Sequence, residues 1–168
     1  ANWDKGRIFL AIGVVFAVLI SLLTYAAVRT GKFGKKYHSA LARSPVDVVF
    51  TLLTFLFLAG PAEDLFFIGF AQNILIETIG WVSILVYVGL FTIYHYVNVL
   101  SGVEKKEEFF AVLPVRLLIA TLLSTSFYTT TTLIYAIIVH NVFDTLNYIA
   151  LLLGNRHSKN LEALGSDE

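Results

Sequence analysis

Long apolar runs separated by short polar segments dominate the hydrophobic pattern of the chain. The first run, Ile8 to Val28, contains no charged residue. As a helix of about 21 residues it extends about 31 Å, which matches the ~30 Å hydrocarbon core of a bilayer. It is longer than the apolar part of a secretory signal, and Thr24 to Ala27 is a poor cleavage site. We therefore predict a retained transmembrane helix over residues 8–28, after an N-terminal flank of residues 1–7.

Residues 29–45 form the most basic segment of the chain. Five cations, with glycines between them, interrupt the apolar pattern: Arg29, Lys32, Lys35, Lys36 and Arg43. Positively charged loops stay on the cytoplasmic side, so we predict that this basic loop is cytoplasmic and that the N-terminus lies outside. Pro45 can begin the next helix, because a residue in the first turn needs no N–H for the helix.

The pattern beyond the basic loop predicts five more helices, over residues 46–59, 61–79, 82–100, 109–124 and 133–153. Gly60-Pro61 and Gly80-Trp81 separate the first three of these helices, because both pairs disfavour a continuous helix. Charged residues 101–108 and the Ser/Thr-rich residues 124–132 separate the remaining ones. We expect a membrane core of residues 46–153 and a polar C-terminal tail of residues 154–168.

The composition supports a membrane protein: 57% of the residues are hydrophobic and only 14% are charged. A soluble domain contains about 25% charged residues. The 12 Lys and Arg balance the 12 Asp and Glu, so no basic surface is available to bind nucleic acid. The absence of cysteine excludes disulfides, a thiol nucleophile and Cys-ligated metals. Because the chain begins at Ala1 and contains no methionine, we expect that an initiator residue was removed. The prediction is an all-α, polytopic bundle of about six transmembrane helices in the cell membrane.

Two adjacent carboxylates lie at the predicted start of a membrane helix. Glu63 and Asp64 follow Gly60-Pro61, which places them in the first turn of the helix predicted to begin at Pro61. A charge inside the bilayer costs several kcal/mol and usually faces a partner in the bundle interior, so each such residue is a functional candidate. The alternative is N-terminal capping, because unpaired N–H groups and the helix dipole stabilise negative charge there.

Histidines on two other predicted helices complete a set of groups able to activate water. A hairpin around Gly80 would bring His95 to a depth similar to that of Glu63. His140 and Asp144, spaced i, i+4, share a helix face. We expect Glu63 to take a proton from water that His95 fixes, while His140 with Asp144 stabilises the carbonyl oxygen as it becomes negative. The alternatives are a hydrogen-bonded core histidine and a local His–carboxylate contact.

A divalent metal is a further alternative for the same groups. Glu63, His95 and His140 are acceptable zinc ligands. The chain contains no HExxH motif, so the spacing does not favour a metalloprotease helix. The proposed acid–base chemistry requires no cofactor, and the metal remains an open alternative.

Three short motifs carry a family resemblance. Residues 63–68 read EDLFFI, residues 91–95 read FTIYH, and residues 140–144 read HNVFD. In this order they resemble the EExxxR, FxxxH and HxxxN/D motifs of the CPBP family of intramembrane endopeptidases. This family includes type II CAAX prenyl endopeptidases and bacteriocin-processing or immunity proteins. The resemblance covers about residues 46–153 and excludes the first helix.

The resemblance implies that Glu63 and His95 activate the hydrolytic water and that His140 and Asp144 form the oxyanion site. It also implies a protein surrounded by the lipid bilayer and a peptide or prenylated-peptide substrate, cleaved inside or at the edge of the bilayer, since members cleave peptide bonds, including prenylated C-terminal tripeptides.

Two positions depart from the family pattern. Asp64 stands in place of the second Glu, and Ile68 in place of the Arg, which in the family balances the acidic pair. Arg116, on another helix, is a candidate replacement for that charge. The departures favour an alternative: a catalytically inactive scaffold or accessory subunit of a membrane protein complex. A proton or ion pathway, extended by Asn73, Asn98 and Asn147, is a third hypothesis.

Overall fold

A computed structural model describes residues 3–30 and 44–165 of the chain, the last eight of these by their backbone. All regular elements in these ranges are helices: α1 Trp3–Arg29, α2 Pro45–Ile79, α3 Val82–Leu100, α4 Lys106–Thr130 and α5 Ile134–Gly165. Each contains a stretch long and apolar enough to cross a bilayer. The predicted all-α membrane bundle is therefore confirmed, with five helices in the described part of the chain where the pattern predicted six.

The difference in helix number arises at Gly60-Pro61, which does not end a helix. α2 is continuous over 35 residues and contains two π-helical segments, Phe55–Ala59 and Leu65–Gln72. A proline in a regular α-helix lacks one N–H and collides with a carbonyl of the preceding turn. The wider π turn directly before Gly60 accommodates Pro61 without a break. The prediction of two helices here was wrong, and the acidic pair at 63 and 64 lies mid-helix rather than at an N-terminus.

Local signals do set the two ends of α2. Ser44 caps the start: its Oγ accepts a hydrogen bond from the backbone N–H of Asp47 at 3.2 Å, and Pro45 occupies the first helical position. The other end is a hairpin in which α2 stops at Ile79 and α3 begins at Val82. Gly80 adopts φ +56° in this turn, a conformation that residues with a side chain rarely adopt. The predicted hairpin around Gly80 is present.

α4 and α5 are both longer than the pattern predicts. α4 continues through the Ser/Thr-rich stretch to Thr130, where hydroxyls are satisfied by donating to carbonyls one turn back, as Thr130 does to Ser126 at 2.6 Å. α5 continues past Gly154 to Gly165. Gly154 serves close packing instead of termination, since a Cβ atom there would lie 2.9 Å from Cβ of Val28.

α1 runs parallel to α5 in a close contact built on small residues. From one end of the interface to the other, the pairs in contact are Gly6 with Tyr135, Gly13 with Val139, Thr24 with Asn147, and Val28 with Gly154. Small residues allow the backbones of membrane helices to approach closely, where packing replaces the hydrophobic effect as the driving force. The Thr24 hydroxyl also donates to Oδ1 of Asn147 at 3.1 Å, so Asn147 serves helix packing.

We expect Gly13→Ala to destabilise the bundle. The added Cβ would overlap the Cγ atoms of Val139, and overpacking of a filled interface costs about 1–3 kcal/mol. Gly89→Ala is the matched control, because a Cβ at position 89 meets nothing within 4 Å. Thermal unfolding in detergent, followed by circular dichroism, measures both variants. Equal melting temperatures for the two variants would show that α1 does not pack on α5 in this way.

The interior between α2, α3, α4 and α5 contains an apolar core. Its buried members are Phe67, Ile68, Tyr87, Phe91, Ile119, Ala120, Leu123, Phe127, Ala136 and Val139. Large apolar side chains also cover the outer surface, among them Leu23, Phe50 and Phe66, each more than half exposed. An apolar exterior is what a lipid environment requires. Buried polar groups occur beside the core, and the largest cluster of them is on α2 and α5.

Candidate active site

Four ionisable side chains from α2 and α5 meet around His140. Its Nδ1 lies 3.1 Å from Oδ1 of Asp64 and donates a hydrogen bond to it. On the other side of the ring, Nε2 lies 3.5 Å from Oδ2 of Asp144 and 3.9 Å from Oε2 of Glu63. One imidazole therefore faces three carboxylates, and at most one positive charge is available to balance them.

A helix crossing at Gly60 brings these groups together. A Cβ atom at position 60 would overlap Oδ1 of Asn141 and lie 3.3 Å from Cβ of His140, so only glycine permits this approach of α2 to α5. One turn further along α2, Glu63 and Asp64 project beside the imidazole. On α5, the i, i+4 spacing places Asp144 one turn after His140, on the same face.

A side chain of α5 also completes the backbone hydrogen bonding of α2. In the i→i+5 register of a π turn, the partner of the Leu56 carbonyl is Pro61, which has no N–H. Nδ2 of Asn141 donates to the Leu56 oxygen at 2.8 Å instead. Asn141 thereby fixes α2 against α5 directly beside His140.

We expect Asn141→Leu to lower the free energy of unfolding by about 1 kcal/mol, as for other interhelical hydrogen bonds in membranes. The double variant Asn141→Leu/Pro61→Ala should recover part of this loss, because the Pro61→Ala substitution restores a backbone N–H that can bond to the preceding turn. Unfolding by denaturing detergent measures these two variants and Pro61→Ala alone. Purely additive effects of the two substitutions would contradict the assigned role of Asn141.

His95 lies apart from the cluster, across an aromatic ring. Its Nδ1 donates to the backbone carbonyl of Phe91 at 2.9 Å, which in the neutral ring leaves Nε2 with a free lone pair. The Phe91 ring contacts both imidazoles, with centroids 4.3 Å from His95 and 5.9 Å from His140. His95 forms no hydrogen bond or ion pair with Glu63 in the described structure. Of the five predicted site residues, four converge and His95 is adjacent.

The cluster is closed on one side and accessible on the other. The side chains of Asp64 and His140 are 0% and 4% exposed, whereas those of Glu63 and Asp144 are 22% and 25% exposed. A molecule can therefore reach Glu63 and Asp144 but not Asp64. Buried oxygens Oε2 of Glu63 and Oδ2 of Asp64 have no hydrogen-bond partner within the described chain.

No arginine among the described residues neutralises the acidic pair. Ile68, which stands at the motif Arg position, is fully buried in the apolar core. Arg116 is occupied elsewhere: its Nη2 lies 2.9 Å from both carboxylate oxygens of Glu104, and its guanidinium lies 4.9 Å from the centre of the Phe109 ring. This buried ion pair was not predicted from the sequence. It could have been, because an arginine inside an apolar helix needs an acidic partner, and Glu104 precedes the helix of Arg116.

The residues of the metal alternative do not form a ligand set. The described residues contain no group of three His, Cys, Asp or Glu side chains arranged to hold a metal ion. Nδ1 of His140 is engaged by Asp64, and His95 lies across Phe91 from His140. Glu63, His95 and His140 therefore share no common point of coordination, and we assign no step to a metal.

Uncharged polar residues near the site were also missed by the sequence analysis. Tyr87 and Gln72 are 1% exposed, and Nε2 of Gln72 donates to the backbone oxygen of Ser124 at 3.2 Å. The candidates predicted from the sequence were the charged and histidine residues inside apolar segments. Gln72 lies inside such a segment too, so the same criterion applied to every polar residue would have found it.

A comparison with protein families identifies the chain. The family model of type II CAAX prenyl endopeptidase Rce1-like proteins matches residues 45–146, more than half of the chain. The chain belongs to this family, and the predicted CPBP relationship is confirmed. No curated protein and no solved structure matches the chain. The matched range begins at the first residue of α2 and contains all five predicted site residues. The protein is an integral membrane protein of the CAAX-protease type.

Proposed function

We propose that the protein is an intramembrane endopeptidase that hydrolyses a peptide bond with a water activated by Glu63. The observation that supports this proposal best is the convergence of three carboxylates on His140, with Glu63 on the accessible side. The family membership supports the same reaction class.

Glu63 acts as the general base in this proposal. It takes a proton from water, and the resulting hydroxide adds to the carbonyl carbon of the peptide bond. The tetrahedral intermediate then collapses as the proton passes from Glu63 to the leaving amine. The Glu63 side chain is partly exposed, and its Oε2, although buried, has no protein hydrogen-bond partner within the described chain. In this proposal His95, on α3 beyond the Phe91 ring, positions the water or the substrate through Nε2.

His140 stabilises the developing oxyanion. Asp64 accepts the hydrogen bond from Nδ1 and holds the ring, so that Nε2 points to the accessible side. In the imidazolium, which carries a proton on both ring nitrogens, Nε2 is a donor fixed in this way, and it stabilises the negative oxygen of the intermediate without rearrangement. Asp144, 3.5 Å from Nε2, orients the ring or donates in its protonated form, because an ionised carboxylate would repel the oxyanion.

We infer that the substrate reaches the site from the outer half of the cell membrane. His140 is about six residues, or about 9 Å, from the start of α5. That start lies at the same end of the bundle as the start of α1, since the two helices are parallel. The basic loop follows α1 at the opposite end, and positive loops stay cytoplasmic.

The assay uses the purified protein in liposomes with two quenched fluorescent peptides. One ends in a farnesylated cysteine followed by three residues, and the other has the same sequence without the farnesyl group. We expect the wild type to cleave at least one of them. Preference for the farnesylated peptide assigns a prenylated substrate, and cleavage of both assigns a general peptide substrate. Cleavage of neither peptide by folded protein contradicts the proposed hydrolysis.

An inactive scaffold or accessory subunit is the second candidate, and one observation favours it. Neither Ile68 nor Arg116 supplies a cation to the Glu63–Asp64 pair, so His140 alone balances it within the described chain. This candidate predicts that folded wild type cleaves no peptide and is recovered in a stable complex with other membrane subunits after mild solubilisation. Cleavage that depends on Glu63 excludes it.

A further inference from the structure

Tyr87 is a buried tyrosine that the roles assigned above do not use. It lies on α3, is 1% exposed, and its hydroxyl oxygen is buried without a hydrogen-bond partner in the described structure. Buried tyrosine hydroxyls and other buried polar groups are almost always hydrogen-bonded, to protein or to ordered water. The Tyr87 hydroxyl therefore requires a partner that the side chains do not provide directly.

The surroundings of Tyr87 connect it to the acidic pair. Its ring stacks on Phe91 with centroids 5.6 Å apart, and the Phe91 ring contacts the imidazole of His140. Phe91 thus links the ring of Tyr87 to the imidazole of His140, whose Nδ1 lies 3.1 Å from Asp64.

Asp64 presents the complementary group. Oδ1 of Asp64 accepts from His140, whereas Oδ2 is buried and has no partner among the described residues. A buried donor without an acceptor and a buried acceptor without a donor are therefore connected through the ring contacts of Phe91 and the hydrogen bond from His140 to Asp64. Ser83, one turn before Tyr87 on the same face of α3, is also fully buried with an unpartnered hydroxyl. Several unpaired polar atoms in one region are the usual surroundings of an internal water.

We propose that Tyr87 is a positioning residue for the Asp64–His140 pair, with its hydroxyl donating through one internal water to Oδ2 of Asp64. This bridge would hold the Asp64 carboxylate with Oδ1 toward His140 and so fix the direction of Nε2. A water between polar groups too far apart for a direct bond is nearly as favourable as that bond. The consequence for catalysis rests on the proposed hydrolysis, but the hydrogen-bonding role does not.

Tyr87→Phe tests the proposal, because it deletes one hydroxyl and keeps the ring. Tyr148→Phe is the matched control: Tyr148 is 2% exposed, its hydroxyl is also unpartnered in the described structure, and its ring packs on Phe55. For peptide hydrolysis we expect Tyr87→Phe to lower kcat about 10-fold or more with KM unchanged, as when a hydrogen bond that orients a reacting group is lost. Tyr148→Phe should retain wild-type kcat and KM. Equal kinetics for the two variants would overturn the positioning role in catalysis.

A second readout does not depend on activity. The chain contains four histidines, so 15N-histidine labelling gives a small set of ring signals in detergent micelles. We expect Tyr87→Phe to move the His140 ring nitrogen signals and Tyr148→Phe to leave them in place. If wild type hydrolyses no peptide but Tyr87→Phe moves these signals, the proposed function fails and the positioning role stands. Unchanged His140 signals in folded Tyr87→Phe, verified by circular dichroism, overturn the inference.

Discussion

Glu63→Gln is expected to abolish peptide hydrolysis while the helical bundle remains folded. Glutamine has nearly the shape of glutamate but cannot take a proton from water, and loss of a general base typically lowers the rate about 10²–10⁴-fold. The 3.9 Å separation from Nε2 of His140 leaves room for the amide, so the helix crossing should be retained. Initial rates in liposomes measure the effect, and circular dichroism verifies the fold.

Glu77→Gln is the matched control for this substitution. Glu77 lies on the same helix near its end, and it is exposed, so the same change in charge occurs away from the site. The control should hydrolyse at the wild-type rate. More than a tenth of the wild-type rate in Glu63→Gln would show that another group is the base.

His140→Ala is expected to have the second largest effect, on activity and on stability together. It removes the imidazole that three carboxylates face, and loss of one partner of a buried ion pair costs about 3–5 kcal/mol. Asp64 is affected most, because its side chain is 0% exposed and His140 is its hydrogen-bond partner in the described structure. Unfolding by denaturing detergent measures the loss.

Two further variants serve to interpret the loss of stability in His140→Ala. His95→Ala removes an imidazole whose Nδ1 bonds only to a backbone carbonyl, so it should lower the free energy of unfolding by only about 1 kcal/mol. The double variant His140→Ala/Asp64→Asn should recover part of the stability, because it removes one of the unpaired buried charges. If His140→Ala is as stable as His95→Ala, the carboxylates do not depend on His140.

The membrane architecture could be predicted because the bilayer imposes a minimum length on every crossing helix. The apolar run over residues 8–28 lies within α1, and the Gly80 hairpin lies where its glycine predicts it. The error at Gly60-Pro61 has a different origin. Local rules for proline assume that its missing hydrogen bond stays unmade. Here Asn141, distant in sequence, donates to Leu56 instead, and no local pattern contains that information.

The site could be predicted in part. The contact between His140 and Asp144 follows from helix geometry alone, because residues four apart share a face. The approach of Asp64 to His140 depends on the helix crossing at Gly60, which only the family resemblance could suggest from the sequence. His95 is separated from His140 by the Phe91 ring, and side-chain packing of this kind cannot be derived from motif spacing.

Hydrolysis in water enriched in oxygen-18 tests most directly whether the cluster around His140 activates water. The purified protein in liposomes is incubated with the two fluorescent peptides, and the new C-termini are analysed by mass spectrometry. The predicted result is one oxygen-18 atom in each new carboxyl group with wild type, and no product with Glu63→Gln. Folded wild type that forms no labelled product, or labelled product that forms equally well with Glu63→Gln, would contradict the proposed activation of water by Glu63.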